Sequence, residues 1–514
     1  MGEDKVMQRL CLNFQATLRL TQSLLIGAIA LTLVSCGDGS SGSTDQKVIR
    51  TSSLPNIIFI LTDDHGYADL GVQGVFKDLK TPHLDQLANT GVRMTAGYVT
   101  APQCTPSRAA LMTGRYQQKF GVDDNNYSPL PLSQATLAEK LSAIGYKTGI
   151  MGKWHLDVNA SSKHWYEDVY APGSSVPFDE KNIPFAEKLK YYPESRGFQD
   201  NFVGYYNNYR ANFNLAGKTI APQTVKDTRF RVDVISDAAV TFIQRHKADP
   251  FFLYVPYYAP HVPLEATQEY LDRFPGPMPE RRRYALAMLA AVDDGVGRIV
   301  SQLETYGIDK DTMIFFIGDN GAPLNLTKND VLPVSATGGP DGRSVWDGSL
   351  NDPWIGEKGM LSEGGIRTPF LMRWKNHLPE GVVYNEPVLS IDAATTAAAI
   401  AGLSTSDLDG VNLIPYVKDR AVKPERALYW RFMQQSAIRQ GKWKYLRTAD
   451  EGEYLFDLST DKQENLNLLT QHPAIANALH TQLLNWSSTL KTPGLPTGAL
   501  IGEDKYWYDY YFAK

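Results

Sequence analysis

The chain has 514 residues, of which 43% are hydrophobic, and it carries a formal net charge of -5. A chain of this length and apolar content can bury a large core and is too hydrophobic to be a disordered segment, and we expect more than one domain. The charge excludes the basic surplus that nucleic-acid binding requires, so we expect no nucleic-acid partner.

The first 35 residues have the order of a secretory signal. Basic residues precede the apolar stretch Leu24–Val34, which is shorter than the ~20 residues that a membrane-spanning helix needs. The stretch ends in Leu33-Val34-Ser35-Cys36, which resembles the bacterial lipobox, and a Gly/Ser-rich run follows. We therefore expect a signal at 1–35, a lipid anchor on Cys36 and a flexible linker over 36–53. The exported protein would then be a periplasmic or cell-surface lipoprotein, held at the outer membrane; an ordinary signal peptide cut near the same place is the alternative.

From Asn56 onward, short apolar runs alternate with segments of helical periodicity. This order, with continuous β-branched and aromatic runs, predicts an α/β fold in which a large sheet is covered by helices on both faces. The predicted strands are 57–61, 147–151, 251–255 and 313–317, and the predicted helices are 83–91, 134–145, 232–247 and 282–306.

After Pro415 the alternation of apolar runs and helical segments gives way to several short apolar runs separated by turn residues. Short strands are predicted at 427–431, 436–439, 443–446 and 454–457, followed by a helix at 473–487. The aromatic tail 506–512 is too apolar to remain in water, so we expect it to dock. The pattern predicts a first domain over 54–415 and a small α+β subdomain over 416–514, with an antiparallel sheet and one helix.

Polar residues follow directly after the four predicted strands of the first domain. They are Asp63 and Asp64, Lys153 and His155, His261, and Asp319 and Asn320. In open α/β sheets, ligands bind at the carboxyl ends of the strands, so these residues predict a single site. The Asp and Asn side chains offer oxygen ligands only, which suit Ca²⁺ or Mg²⁺ rather than Zn²⁺.

The run Cys104-Thr105-Pro106-Ser107-Arg108, continued by Ala-Ala-Leu-Met-Thr-Gly-Arg to Arg115, is the most specific motif. Pro106 suits the first turn of a helix, whose positive end would favour an anionic group. The run resembles the signature of the type I sulfatases of the alkaline phosphatase superfamily, and the chain resembles the bacterial polysaccharide sulfatases among them. In that family a maturation enzyme oxidises the cysteine to formylglycine, and the hydrate of this aldehyde attacks sulfur.

The resemblance implies a role for each strand-end residue. Ca²⁺, rather than Mg²⁺, would lie between Asp63, Asp64, Asp319, Asn320 and the formylglycine at Cys104. Arg108 would hold the nucleophile, and Lys153 and Lys358 would contact the sulfate. His155 would deprotonate the second hydroxyl of the hydrate, and His261 would protonate the departing alcohol. The implied fold is the alkaline-phosphatase-like mixed sheet with a small C-terminal subdomain.

The segments 159–231 and 324–355 match no general motif, so we expect them to determine the substrate. Aromatic and arginine side chains suit a sulfated oligosaccharide or polysaccharide, because rings stack on sugars and arginine pairs with anions. The candidate contacts are Tyr209, Arg210, Arg343 and Trp346, the last followed by Asp347. The stretch 344–354 resembles a form found in carrageenan-active sulfatases, which favours a carrageenan-type galactan over ulvan as the algal substrate.

Two alternatives remain open. One is a phosphate or phosphonate ester hydrolase of the same superfamily, because these anions are similar in charge and size. The other is a non-catalytic, glycan-binding surface lipoprotein, although a binding module has no use for paired carboxylates beside a cysteine.

Overall fold

The computed structural model describes residues 53–339, 344–419 and 425–512. The predicted signal, Cys36, the linker as far as residue 52, and Arg343 lie outside these residues. None of the helices in the described ranges is long and apolar enough to cross a membrane.

A mixed sheet of ten strands forms the centre of the molecule. The strands of the described residues are β1 Asn56–Asp63, β2 Val92–Met94, β3 Gly97–Tyr98, β4 Lys147–Gly152, β5 Asp200–Tyr205, β6 Asn208–Phe213, β7 Thr219–Lys226, β8 Phe251–Pro260, β9 Thr312–Gly318, β10 Phe370–Arg373, β11 Val382–Tyr384, β12 Val388–Leu389, β13 Ala427–Phe432, β14 Gln435–Gln440, β15 Trp443–Thr448 and β16 Gly452–Asp457. The order in the mixed sheet is β11-β2-β10-β9-β1-β8-β4-β5-β6-β7. Its inner strands β9, β1, β8, β4 and β5 are mutually parallel, and the hairpins at one edge are antiparallel.

Helices cover both faces of this sheet. The longer ones in the described ranges are α1 Pro82–Asn89, α2 Cys104–Thr113, α3 Leu137–Ala143, α4 Arg231–His246, α5 Glu280–Thr305, α6 Ser390–Ile400, α7 Pro473–Ser487 and α8 Gly502–Tyr511, and shorter ones are Lys163–Trp165, Phe185–Leu189, Gln268–Leu271, Glu363–Ile366 and Ile414–Lys418. Helix α3 starts later than predicted because Thr136 and Glu139 form a capping box that fixes its first turn.

Alternation along β1 explains why the sheet needs two helical layers. Ile57, Phe59 and Leu61 belong to one apolar cluster, whereas Ile58 and Ile60 belong to another on the opposite face. The prediction of a large α/β sheet covered on both faces is confirmed. The two hairpins formed by β5, β6 and β7, and the antiparallel strand β10, were not predicted from the sequence.

The C-terminal strands form a separate antiparallel sheet in the order β13-β14-β15-β16, as predicted. This sheet shares an apolar core with the central sheet, and Trp430 Nε1 donates to the carbonyl of Val99 at 2.7 Å. Lys444, with no exposed surface, pairs with Glu363 at 3.0 Å and Glu464 at 2.7 Å. A buried ion cluster therefore joins the C-terminal sheet to the short helix Glu363–Ile366, which precedes β10 of the central sheet.

Candidate active site

Four neighbouring parallel strands, β9, β1, β8 and β4, end at one edge of the sheet. Contacts join the polar residues that follow them. The amide of Asp64 donates to Asp319 Oδ1 at 3.1 Å, and Lys153 Nζ lies 2.6 Å from Asp63 Oδ2. His261 Nε2 lies 3.7 Å from Asp64 Oδ2. The structure therefore brings the predicted strand-end residues into one site.

Helix α2 brings Cys104 to the same edge. Cys104 is the first residue of this fully buried helix, and its Sγ lies 3.3 Å from Asp63 Oδ1. Burial, and then the Asp63 carboxylate, raise the pKa of the Cys104 thiol well above its usual value. A protonated thiol is a poor nucleophile, so the surroundings of Cys104 do not favour thiolate chemistry.

Oxygen atoms crowd around this cysteine. Ligand atoms of Asp63, Asp64, Asp319 and Cys104 all lie within 4.8 Å of one another and are buried. Asn320 Oδ1 is buried and has no hydrogen-bond partner among the described residues. Burial, and next Asp63, raise the pKa of Asp319 to about 7, which reflects the cost of placing these carboxylates together. Asn320 contacts Asp64 Oδ1 through Nδ2, at 2.6 Å. Crowded carboxylates, together with the unpartnered amide oxygen of this neighbouring residue, fit a hard cation such as Ca²⁺ or Mg²⁺.

Three cationic side chains surround the carboxylates. Arg108 donates from Nε and a terminal nitrogen to Asp319 Oδ2 at 3.0 and 2.7 Å, and Lys358 Nζ lies 2.7 Å from Asp64 Oδ2. Burial disfavours the charged form of Lys358, but Asp64 outweighs it and holds the lysine pKa well above its usual value. Lys153 is likewise buried and held charged by Asp63, which raises its pKa. The site can therefore bind an anion by charge-assisted hydrogen bonds.

The two histidines differ in their surroundings. Burial, and next Lys153, hold the pKa of His155 well below its usual value, and its Nδ1 has no hydrogen-bond partner within the described ranges. His155 is therefore neutral and can accept a proton. His261 Nδ1 contacts the carbonyl of Val262, so Nδ1 carries a proton and Nε2 faces the site. Burial lowers the pKa of His261, whereas the neighbouring Asp63 and Asp64 carboxylates favour a second proton on Nε2.

The backbone is strained at two of these residues. Asp64 and His155 have φ values of 58° and 60°, in the left-handed region that most residues avoid. Gly152, just before Lys153, has φ 129°, and a Cβ there would lie 2.0 Å from the carbonyl oxygen of Pro256. Such strain is typical of functional sites, where it re-aims side chains at the end of a strand.

Two predicted substrate contacts are wrong. Tyr209 has no exposed surface and packs on Phe202 at 5.0 Å between ring centres, because alternation along β6 turns it into the core. Trp346 is 3% exposed, and its Nε1 donates to the carbonyl of Ser349. Neither ring offers a free face to a sugar. Arg210 points to the other face of β6 and lines a cavity that reaches His155.

Asp347 reaches the site in place of Trp346. It is 1% exposed, its ligand atom lies within 4.8 Å of those of Asp64 and His261, and neither carboxylate oxygen has a hydrogen-bond partner among the described residues. No motif marks this residue as part of the site. Only its place after a packed tryptophan could have suggested that it faces away from the core.

The aromatic tail supports the segment that carries Lys358, so the predicted docking of the tail is confirmed. Gly359 has φ 94°, and a Cβ there would lie 2.2 Å from the ring of Trp507. The hydroxyl of Tyr511 donates to Glu357 Oε1 at 3.0 Å. The tail therefore fixes both neighbours of Lys358.

The comparisons with known proteins agree with this geometry. The family model described as "Sulfatase" matches residues 55–403, and the model "N-sulphoglucosamine sulphohydrolase, C-terminal" matches residues 354–489. Arylsulfatase A of Bos taurus is 31% identical over 475 residues, covering 83% of this chain and 86% of that protein. N-acetylgalactosamine-6-sulfatase of Mus musculus is 30% identical over 454 residues, covering 84% and 79%.

A solved structure, Ps i-CgsB in complex with k-i-k-neocarrahexaose, is 29% identical with a TM-score of 0.70, covering 87% of this chain and 95% of that chain. The resemblance to type I sulfatases and the predicted alkaline-phosphatase-like fold are both confirmed. The chain belongs to the sulfatase family and is a sulfuric ester hydrolase.

Proposed function

We propose that this sulfatase removes sulfate esters from an algal galactan of the carrageenan type or from its oligosaccharides. The observation that carries the proposal is the similarity to Ps i-CgsB, whose structure holds a neocarrahexaose, along 87% of this chain. Ulvan is the second algal substrate to test.

The nucleophile in this proposal is Cys104 after oxidation to formylglycine by a maturation enzyme. The motif from Cys104 to Arg115, the position at the first turn of α2 and the raised pKa of the thiol support it. In that form the residue supplies an aldehyde hydrate, whose hydroxyl attacks sulfur.

The cation in this proposal is Ca²⁺, held by Asp63, Asp64, Asp319, Asn320 and the modified residue 104. When bound, it supplies positive charge that offsets the carboxylates and stabilises the oxygens of the sulfate. The family resemblance favours Ca²⁺ over Mg²⁺, and the unpartnered Asn320 Oδ1 supports an oxygen-ligated ion.

The protein's own side chains would bind the sulfate and transfer the protons. Lys153 and Lys358 would bind the nonbridging sulfate oxygens, because both are buried and charged. Arg108 fixes Asp319, which would accept a proton from one hydroxyl of the hydrate. The neutral His155 would accept the proton of the other hydroxyl. His261, once a second proton on Nε2 makes it an imidazolium, would donate that proton to the leaving oxygen.

Replacing Asp64 or Asp319 with alanine is expected to remove the cation and lower kcat by at least about 10²-fold. In the wild-type protein, added Ca²⁺ should raise the thermal unfolding midpoint, since the ion binds the folded state, and this shift should vanish in both variants. Thermal scans with and without chelator, run beside aryl sulfate assays, measure both effects.

Asp392→Ala provides the matched control for this experiment. Asp392 is fully buried, caps α6 through the Leu389 amide and pairs with Arg426 rather than with a residue of the cation site. This variant should lose stability but keep the Ca²⁺-dependent shift. Full activity of the wild type after exhaustive chelation would refute the cation site.

Trp507→Ala is expected to destabilise the fold by about 3 kcal/mol, as for other buried tryptophans. It should also lower kcat by about tenfold at temperatures where the variant stays folded, because Lys358 loses the support that positions it. Tyr510→Ala, on the exposed side of the same helix, is the control and should change neither value. A destabilised Trp507→Ala variant with wild-type kcat would show that the tail does not position Lys358.

A screen of defined oligosaccharides from carrageenan, ulvan, fucoidan and glycosaminoglycans tests the substrate. We expect sulfate release from carrageenan oligosaccharides, and activity confined to aryl or lipid sulfates would contradict the carbohydrate assignment. Parallel assays for released phosphate distinguish the phosphate or phosphonate ester alternative. Turnover of any oligosaccharide excludes the non-catalytic alternative.

The lipid anchor and the outer-membrane location remain proposals. They rest on the Leu33-Val34-Ser35-Cys36 sequence. Labelled palmitate should be incorporated into the wild-type protein but not into Cys36→Ala, and equal labelling of the two would exclude acylation at Cys36.

A further inference from the structure

A cavity of about 220 Å³ lies beside the active site, within the part of the chain expected to determine the substrate. It is lined by His155 of the active site and by Tyr192, Glu194, Arg210 and Tyr258. Pockets that enclose drug-sized ligands measure ~300–1,000 Å³, so this one has room for about one sugar ring.

Part of the lining of this cavity is a preformed ion pair. Arg210 donates from Nε to Glu194 Oε1 at 2.8 Å, and a second nitrogen of the guanidinium contacts the same oxygen. The guanidinium also lies over the rings of Phe185 and Tyr192, at 5.2 and 5.7 Å. Arg210 is therefore held in place and its charge is already balanced.

The charged groups around this cavity are already paired. Besides the Arg210–Glu194 pair, the lining includes Asp157, whose pKa burial raises to about 7. Arg231 lies over the rings of Tyr205 and Tyr258, at 5.2 and 5.7 Å, and pairs with Glu265 at 3.0 Å. Lys153 lies 5.7 Å from the centre of the Tyr258 ring and pairs with Asp63 at 2.6 Å. A second sulfate entering here would therefore have to displace Glu194 from Arg210.

Neutral hydroxyl groups fit this lining better. Both guanidinium contacts fall on Glu194 Oε1, which leaves Oε2 to accept a hydrogen bond from a hydroxyl. Tyr205, which is 40% exposed, supplies ring surface of the kind that packs against the C–H faces of sugars, and Tyr258 packs behind it at 4.7 Å between ring centres.

We propose that this cavity binds an unsulfated sugar ring adjoining the ring that carries the scissile sulfate, and that Glu194, which holds Arg210, excludes a second sulfate. The inference rests on the proposed carbohydrate function. It also reverses the sequence-based expectation for Arg210, which here pairs with Glu194 and would orient a hydroxyl-binding carboxylate.

The test compares two disaccharides that differ by a single sulfate on the neighbouring ring: neocarrabiose 4-sulfate and neocarrabiose 4,2′-disulfate. For the wild type we expect kcat/KM to be at least about tenfold higher on the monosulfate, because like charges placed together in a binding site are costly. In Glu194→Gln the preference should shrink or reverse, since Arg210 becomes free to pair with the extra sulfate.

Controls distinguish this change in disaccharide preference from a loss of folding in the variant. Turnover of a nitrophenyl sulfate, which is too small to reach Arg210, and the thermal unfolding midpoint should stay close to wild type in Glu194→Gln. Glu280→Gln breaks a comparable Arg–Glu pair, with Arg283 at 3.2 Å, outside the cavity and should leave the preference unchanged. If neither disaccharide is hydrolysed, the ratio of their inhibition constants against nitrophenyl sulfate replaces kcat/KM.

A wild-type enzyme that accepts the disulfate at least as well as the monosulfate would overturn the proposal, as would a preference unchanged in Glu194→Gln. Absence of both hydrolysis and inhibition would also overturn it. Failure of the proposed function looks different, because then the oligosaccharide screen yields no sulfate while nitrophenyl sulfate is still turned over.

Discussion

Replacing Cys104 with alanine should lower kcat by a factor on the order of 10⁴–10⁶, the range expected when an enzyme loses its nucleophile. The fold should survive, because Cys104 is a small residue at the first turn of α2 and its thiol makes one long contact, 3.3 Å to Asp63. Sulfate release from aryl sulfate, measured beside the unfolding midpoint, tests both parts of this expectation.

Mass spectrometry of the peptide that contains residue 104 is the companion measurement. In active preparations the cysteine should carry the mass change of formylglycine, and activity should scale with the modified fraction. Cys36→Ala is the matched control and should retain turnover, whereas Cys104→Ser is less informative because some maturation systems accept serine. Near-normal activity in Cys104→Ala would refute the formylglycine mechanism.

The fold was predictable where one physical signal dominated. Short, continuous apolar runs rich in β-branched and aromatic residues, such as Ile57–Leu61, favour strands buried on both faces, and the long periodic segment that forms α5 favours a helix. The hairpins formed by β5, β6 and β7 lack such an apolar pattern, since β7 is mostly exposed and polar. Such an edge strand is defined by its partner rather than by its own pattern.

The site residues could be predicted where the end of a strand determines their position in the fold. The order of the four inner strands places Asp63, Lys153, His261 and Asp319 together, and this follows from parallel topology alone. The direction of individual side chains did not follow. Tyr209 and Arg210 are adjacent in sequence, but only the alternation and pairing of β6 decide which one enters the core.

Residues that reach the site through long-range packing could not be identified from the sequence around them. Asp347 reaches Asp64 and His261 from a loop, and the left-handed backbone at Asp64 and His155 contradicts local preference. The ion cluster around Lys444 likewise depends on how two sheets meet. These features arise from the assembled fold and could not be read from spacing.

His261→Ala should harm sugar sulfates far more than aryl sulfates. A sugar alkoxide is a poor leaving group that needs a proton in the transition state, and general acid catalysis is typically worth ~10²–10⁴-fold. His261 Nε2 faces the site, 3.7 Å from Asp64 Oδ2, whereas Nδ1 is engaged with the Val262 carbonyl. Loss of the ring should therefore remove the proton donor, while nitrophenolate, which leaves unaided, should depart at a nearly unchanged rate.

A series of aryl sulfates with graded leaving-group pKa sharpens this test. In the wild type, kcat/KM should depend weakly on the leaving-group pKa, because the departing oxygen is protonated as the bond breaks. In His261→Ala the dependence should become steep, with the largest loss for the least acidic alcohols. His246→Ala, which breaks a histidine contact to Asp200 at 2.8 Å elsewhere, should keep the wild-type slope. Equal losses across the whole series would instead assign His261 to binding of the sulfate, since a group that contacts only the transferred anion affects every substrate alike.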